Sequence, residues 1–432
     1  MIPAARLSAA IEVLTDIESR RRPAADALKD WGLAHRFAGS GDRAAIASLV
    51  YDSLRVKASS IFALQSETPR ALVLGMLKTH GRTVDEISAL FSGARFAPEP
   101  LSEAESAHLA AALADAPHHI AGDFQEWLQP ELTRAFGDAL VAETHALAGR
   151  APIDIRVNTL KTLRLKLQTE LAHLNPAATP YSSTGLRFDP GEGGRGPALQ
   201  STEQFIKGQF EIQEEGSQLV TQLSGAAEGE QVIDLCAGGG GKTLALAALM
   251  NNRGQIYATD NDARRLAPIH ARLERADVRN VQVLTPRTRD DEPLRGLEGK
   301  ADLVLIDAPC TGTGTWRRNP DIKWRVRPGA LEMRMKEQDA VLARAARFVK
   351  PGGRLCYITC SVLPCENDDR VAAFLGANPG FALTEPADLL ALAPDALSAM
   401  ANLVSPGGQG LQFTPLKTGT DGFFVSLIRK VA

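Results

Sequence analysis

No run of apolar residues in this 432-residue chain approaches the roughly 20 that a membrane-spanning helix needs. An excess of basic charge is missing too. The 48 Lys and Arg face 51 Asp and Glu, for a net charge of −3. That excludes a uniformly basic coat for nucleic acid and leaves room for a local basic groove. Cysteine is scarce: Cys236, Cys310, Cys356, Cys360 and Cys365 are the five, all in the second half. An odd number with no C-x-x-C pair and no neighbouring His excludes a disulfide framework and argues against zinc. Each cysteine is therefore either a core thiol or a reactive thiolate. Internal repeats are absent. The opening segment has one early Arg but soon carries Glu12, Asp16 and Glu18, so neither a secretory leader nor a transit peptide is expected. The expectation is a cytoplasmic protein with no membrane and no metal partner, and a monomer.

What is present divides the chain into three regions, as its length leads one to expect. Over 1–145, Leu7, Ile11, Leu14 and Ile17 recur at helical spacing, as do Ile46, Leu49, Val50 and Leu54 behind Asp42, a candidate N-cap. This predicts an all-helical domain. Over 146–212, Ile153, Ile155 and Val157 alternate as in a strand, and "TLRLKLQTELAHL" reads as a helix. A small α/β module follows from that, with "GEGGRGPA" as an exposed connection. From 213 to 432, "QVIDLCA", "QIYATD", "NVQVLT", "ADLVLIDAP" and "RLCYITCS" are short, near-continuous apolar strands separated by helices. Strands buried on both faces with helical crossovers predict a parallel, doubly wound, Rossmann-like sheet. The tail "LQFTPLKTGTDGFFVSLIRK" predicts a further hairpin with an antiparallel strand.

Three constellations carry chemistry. The first is "DLCAGGGGKT", Asp234 to Thr243, a strand, a glycine turn and a helix start. A phosphate-binding P-loop would need glycine where Cys236 stands, and a dinucleotide fingerprint fails at Lys242 and Thr243. What remains is a turn that brings backbone N–H groups to a ligand at the carboxyl end of a sheet. Asp260, at the end of the next strand, is placed to accept hydrogen bonds from ribose hydroxyls; Asp260 or Asp262 could instead cap a helix. The second is "DAPCTGTGTWRRNPDIKW", with Asp307 and Cys310 at the end of strand four and then Trp316, Arg317, Arg318, Lys323 and Trp324. Cations for phosphates and indoles for bases suit single-stranded nucleic acid. The third is Thr359-Cys360-Ser361 at the end of strand five, opening on the same crevice as Cys310. Cys356 lies inside that strand as a core thiol. On these grounds either Cys310 or Cys360 could serve as a nucleophile.

Together these stretches resemble the RNA cytosine-5 methyltransferase family that includes the bacterial Fmu/Sun and nucleolar NOL1/NOP2 proteins. "DLCAGGGGKT" is similar to the family loop D-L-C-A-x-P-G-G-K-T, and "RRNPDIKW", "DGFFVSLIRK" and "IRVNTLK" match as well. The segment "WGLAHRFAGSGDRAAIASLVYDSLR" resembles the NusB-type RNA-binding domain of Fmu/Sun members. The resemblance implies S-adenosylmethionine as cofactor and a cytosine in RNA, ribosomal rather than transfer RNA, as substrate. It also implies Cys360 as nucleophile, Cys310 as the group that assists release, and Asp307 as a partner of the cytosine edge. DNA cytosine methyltransferases use the Pro-Cys thiol of strand four, so preferring Cys360 rests on the resemblance. The cofactor residues implied are Cys236, Ala237, Gly238, Gly239, Gly240, Gly241, Lys242, Asp260, Arg265 and Asp307, with Arg317, Arg318, Lys323 and Trp324 on RNA. Two departures stand out. Gly239 replaces the customary proline, and Arg287 stands near where a third-strand acid should meet adenine, with Asp290 and Asp291 as substitutes. The competing reading is a non-catalytic assembly factor whose methyltransferase domain has decayed.

Overall fold

The computed structural model describes residues 1–111, 116–191, 196–286 and 292–431. Part of the glycine-rich connection at 191–198, and Arg287, Asp290 and Asp291, lie outside the described residues. The chain folds as two units. One comprises Met1–Ala151 with Thr315–Val326; the other comprises Pro152–Asp189, Gly196–Gly314 and Arg327–Ala432.

Helices build the first unit, and local sequence marks the ends of several. Pro3 opens Pro3–Arg20, and Arg21 closes it in the left-handed conformation. Leu7, Leu14 and Ile17 bury against Ile46, Val50 and Leu54 of Ser40–Arg55, while Ile11 and Leu49 are only partly buried at the edge. Pro69–Thr79 is capped by Thr68, whose hydroxyl accepts from Ala71 N–H, and it is buried from Ala71 to Leu77. Asp42 is not the N-cap expected of it. The helix starts two residues earlier, after Gly39, and Asp42 ion-pairs with Arg6 at 2.8 Å.

The second unit holds two sheets. The small one consists of β1 (Ile153–Val157), β2 (Ala177–Ala178), β3 (Gly185–Phe188) and β4 (Phe210–Ile212), all antiparallel in the order β2-β3-β1-β4. Ile155, Val157, Leu186, Phe188 and Phe210 form its core with Leu167 of the helix Arg164–Glu170. The large sheet contains β5 (Gln231–Asp234), β6 (Gln255–Ala258), β7 (Val281–Val283), β8 (Ala301–Asp307), β9 (Val349–Thr359), β10 (Phe381–Leu383), β11 (Leu411–Phe413) and β12 (Phe423–Lys430). Its order is β10-β12-β9-β8-β5-β6-β7, with β11 beside β12. The strands β9-β8-β5-β6-β7 are parallel, and β12 is antiparallel to β9, β10 and β11. The five apolar runs and the terminal antiparallel strand thus form one sheet, its order reversing at β5 and β8, where ligands of such sheets bind.

The turn after β5 is set by two contacts. Gly240 has φ +83°, and a Cβ there would stand 2.5 Å from Ile269 Cγ1, so only glycine fits. Asp234 is fully buried and accepts a hydrogen bond from Thr243 Oγ1 at 2.6 Å. Burial pushes its carboxyl up to about 7; the Thr243 hydrogen bond opposes this and the Asp307 charge adds to it. Beyond the end of β9, Gly314 N–H donates to the Cys360 carbonyl and Gly314 O accepts from Gly422 N–H.

Two outcomes follow from these contacts. A Cβ at Gly314 would stand 2.0 Å from the Gly422 carbonyl oxygen, which cannot swing aside. Gly314→Ala should therefore cost about 2 kcal/mol or more in chemical denaturation. For Asp234, the unfolded chain releases its proton near pH 4 and the folded chain near 7, so ionisation lowers stability across that window and no further above it. Asp234→Asn should gain on the order of 4 kcal/mol relative to the parent between about pH 4 and about pH 8. Thermal unfolding curves that stay parallel across that range would show Asp234 to be charged throughout.

Candidate active site

Parallel pairing of β8 and β9 decides where the two thiols go. Asp307 registers with Ile358, and the ladder continues one step further as Ala308 N–H donates to Ile358 O at 2.8 Å. Both strands then end at the same edge, and Cys310 Sγ and Cys360 Sγ stand 3.3 Å apart. Cys310 is held well above the usual thiol range, first by its hydrogen bond with Cys360, then by burial. Cys356 is fully buried inside β9, with its thiol pushed up to about 12 by burial, as a core residue. Cys365 is half-buried in the following loop.

The loops that carry the thiols are tied together by Glu366, which is fully buried. Its carboxylate accepts from Thr311 N–H (2.8 Å), from the hydroxyls of Thr311 and Ser361, and from Gln338 Nε2 (3.1 Å). Burial raises its pKa against the pull of these donors. Asn367 completes the lock, accepting from Thr359 Oγ1 (2.6 Å) and donating to Ser361 O (2.9 Å). Neither residue was singled out in the sequence. The only signal was a Glu-Asn pair directly after the apolar stretch Val362–Cys365, at the head of a polar run.

Lys242 faces this pair of loops rather than open solvent. It is 8 % exposed, and its Nζ lies 2.7 Å from Asp307 Oδ2. Burial works against its charge, but Asp307 outweighs it and the pKa is raised, with Cys360 contributing in the same direction. The sequence grouped Lys242 with the cofactor loop; the structure couples it to Asp307, beside the thiols.

Asp307 also borders a cavity of about 320 Å³, lined further by Cys236, Asp260, Asn261, Asp262, Arg265, Pro309, Arg334, Glu337 and Arg344. Asp260 Oδ2 accepts from Gly238 N–H and Oδ1 from Asp262 N–H, both at 2.9 Å, which leaves each oxygen a further lone pair. Asp262 is the helix cap, accepting from Arg264 N–H, so the capping expected of Asp260 or Asp262 falls to Asp262. Burial, together with Asp260 and Asp307, holds the Cys236 thiol far above its usual range, unsuited to nucleophilic work. S-adenosylmethionine fits these residues: Asp260 can accept from a ribose diol, and Asp307 offers a carboxylate to a cationic sulfonium among a lining of mixed charge. Ala237 and Gly238 to Gly241 form the turn at this edge. Arg334 and Glu337, an ion pair at 2.5 Å on the wall, were not anticipated.

Of the side chains expected on RNA, Lys323 is buried within the first unit. Thr315–Val326 belongs to the first unit, and its side chains are spent on packing there. Lys323 is 1 % exposed, donates to Arg55 O at 2.9 Å, and has its pKa pushed down to about 8 by burial. Trp324 donates its indole N–H to Leu54 O at 2.6 Å and packs on the helical core; Trp316 is 1 % exposed. Lys323 and Trp316 are thus buried away from phosphate or base contact. Arg317 and Arg318 instead line a cavity of about 490 Å³ with Arg55, Asp52 and Arg150.

The family model described as 16S rRNA methyltransferase RsmB/F matches residues 221–429. A probable ribosomal RNA small subunit methyltransferase B of Synechocystis sp. is 31% identical over 313 residues, 71% of this chain and 67% of that protein. Among solved structures, the crystal structure of PH0851 superposes with a TM-score of 0.73 at 25% identity, covering 100% of this chain and 99% of that one. NSun6 from Pyrococcus horikoshii, solved with SFG, gives 0.60 at 24% identity over 72% of this chain and 99% of its own. A glycine turn and acid at one strand edge, with paired thiols at the next, thus sit in a chain that belongs to the RsmB/F family of S-adenosylmethionine-dependent methyltransferases.

Proposed function

We propose that this methyltransferase modifies carbon 5 of a cytosine in small-subunit ribosomal RNA, with Cys360 as nucleophile and Cys310 assisting release. The observation that carries this reading is the pair of thiols 3.3 Å apart beside the Asp307–Lys242 ion pair. Carbon 5 of cytosine is a poor nucleophile on its own. When the Cys360 thiolate adds to carbon 6, the C5–C6 π electrons become available at carbon 5. S-adenosylmethionine, when bound, supplies an electrophilic methyl group there. A base then removes the carbon-5 proton, the electrons of that C–H bond restore the C5–C6 double bond, and the C6–S bond breaks to return the Cys360 thiolate.

The remaining residues suit the other tasks. Cys310 keeps its proton and faces Cys360, as a thiol assisting departure of the Cys360 sulfur requires. Asp307, held by Lys242, is fit to accept from the cytosine edge and to stabilise charge as the ring is attacked. Because its catalytic relatives are named for small-subunit ribosomal RNA, that RNA is the substrate to test first.

Transfer of tritiated methyl groups to unmodified small-subunit RNA checks the assignment. Cys360→Ala should reduce incorporation to background, and retained activity would move the nucleophile elsewhere. Cys310→Ala should instead accumulate a covalent protein–RNA adduct that survives denaturing electrophoresis; turnover without adduct would remove Cys310 from the release step.

A further inference from the structure

The Gly239 departure and the unassigned "IRVNTLK" motif meet at one helix. Asn158 of that motif donates from Nδ2 to Gly208 O (2.9 Å) and to Ala276 O (2.8 Å), and Lys161 Nζ donates to Lys207 O and Arg275 O, both at 2.8 Å. The motif therefore satisfies the open carbonyls at the C-terminus of the helix Ile269–Ala276. From the middle of this helix Arg272 reaches two ways. Its Nη2 and Nε donate to Glu211 Oε2 of β4 at 2.9 and 3.3 Å, and its Nη1 donates to the Gly239 carbonyl at 2.6 Å. Glu211 is buried and is held on its other oxygen by Arg275, whose guanidinium lies 4.0 Å over the Phe205 ring.

We infer that Arg272 is a positioning residue for the cofactor: anchored on Glu211, it latches the glycine turn at Gly239 and supplies the order that a proline ring would otherwise give. Four consecutive glycines carry a large conformational entropy, which must be lost when the turn closes on a ligand. A charge-assisted hydrogen bond to the middle carbonyl of that turn removes part of the freedom beforehand. Three features agree with this role. Gly239 is not among the glycines of positive φ, a conformation that would bar proline. A Cβ there would meet only Arg272 Nη1, at 3.2 Å, a flexible side-chain end. And Arg272 is 26 % exposed beside a buried carboxylate, a firm anchor. The inference rests on assigning the glycine turn to S-adenosylmethionine.

The test is calorimetric binding of S-adenosylmethionine to the full chain without RNA, so that an error about the RNA substrate cannot affect it. Arg272→Ala should weaken binding about tenfold, the loss of one charge-assisted hydrogen bond. Gly239→Pro in that background should recover most of the affinity, because the ring limits the turn in the arginine's place. In the methyl-transfer assay, KM for the cofactor should rise in Arg272→Ala while kcat stays near the parent's. Arg272→Lys, which keeps the charge but reaches fewer acceptors, should fall between the two and serves if the alanine variant does not fold. Unchanged affinity in both Arg272 variants would overturn the latch while leaving the cofactor assignment standing. A double variant as weak as Arg272→Ala would show that the arginine does not act by ordering the turn. Failure of the parent itself to bind S-adenosylmethionine would overturn the cofactor assignment and the latch together.

Discussion

The meeting of the two thiols depends on β8 and β9 running parallel and in register. Cys310 and Cys360 are fifty positions apart in sequence, yet the pairing of Asp307 with Ile358 delivers them to one edge. Beyond that edge the ladder stops, and the backbone groups of two sharp loops need other partners. Glu366 and Asn367 provide them from inside the protein. Burying a carboxylate is expensive, and the donors of Thr311, Ser361 and Gln338 offset the cost. The result is a pair of loops whose sulfurs cannot drift apart independently, because both loops are bound to the same side chain.

The same convergence creates an electrostatic problem that the site resolves in two ways. Asp234, Asp260 and Asp307 arrive at neighbouring strand ends, and the two neighbouring charges add to burial at Asp234. Asp234 responds by rising to about 7, sheltered behind Thr243. Asp307 instead has the buried ammonium of Lys242 at 2.7 Å. One acid is thus relieved by its proton and another by a cation. The cation also lies close enough to interact electrostatically with Cys360.

Much of this was legible in the sequence, and what was not has a common cause. Near-continuous apolar runs gave away the parallel strands, since a strand buried on both faces has nothing else to be. Alternation disclosed β1, and the terminal motif disclosed an antiparallel strand. The cysteines could be placed at strand ends because their neighbours formed those runs. Side-chain partners were less accessible. Lys242 reads as a loop residue until Asp307 is seen beside it, and Glu366 reads as surface charge until its four donors are counted. Arg272 lies on an amphipathic helix whose polar face looks solvated. Each owes its role to residues far away in sequence, which composition and periodicity do not register.

The segment that starts at Thr315 carries this furthest. Its cations and indoles follow Cys310 so closely that a nucleic-acid surface next to the thiols was the natural reading. Yet Lys323 and Trp324 give their donors to the last carbonyls of Ser40–Arg55, at Arg55 and Leu54, where a helix end leaves acceptors unfilled. Gln125 Nε2 in turn donates to Lys323 O and Val326 O, at 2.6 and 2.9 Å, and Asp321 Oδ2 accepts from Ala24 N–H at 3.3 Å. A buried lysine and a hydrogen-bonded indole are poor choices for phosphate or base contact and good ones for joining distant parts of a fold. The helical unit is therefore incomplete without Thr315–Val326. That segment leaves the chain only five residues after Cys310, so the loop bearing one thiol is covalently continuous with the core of the helical unit.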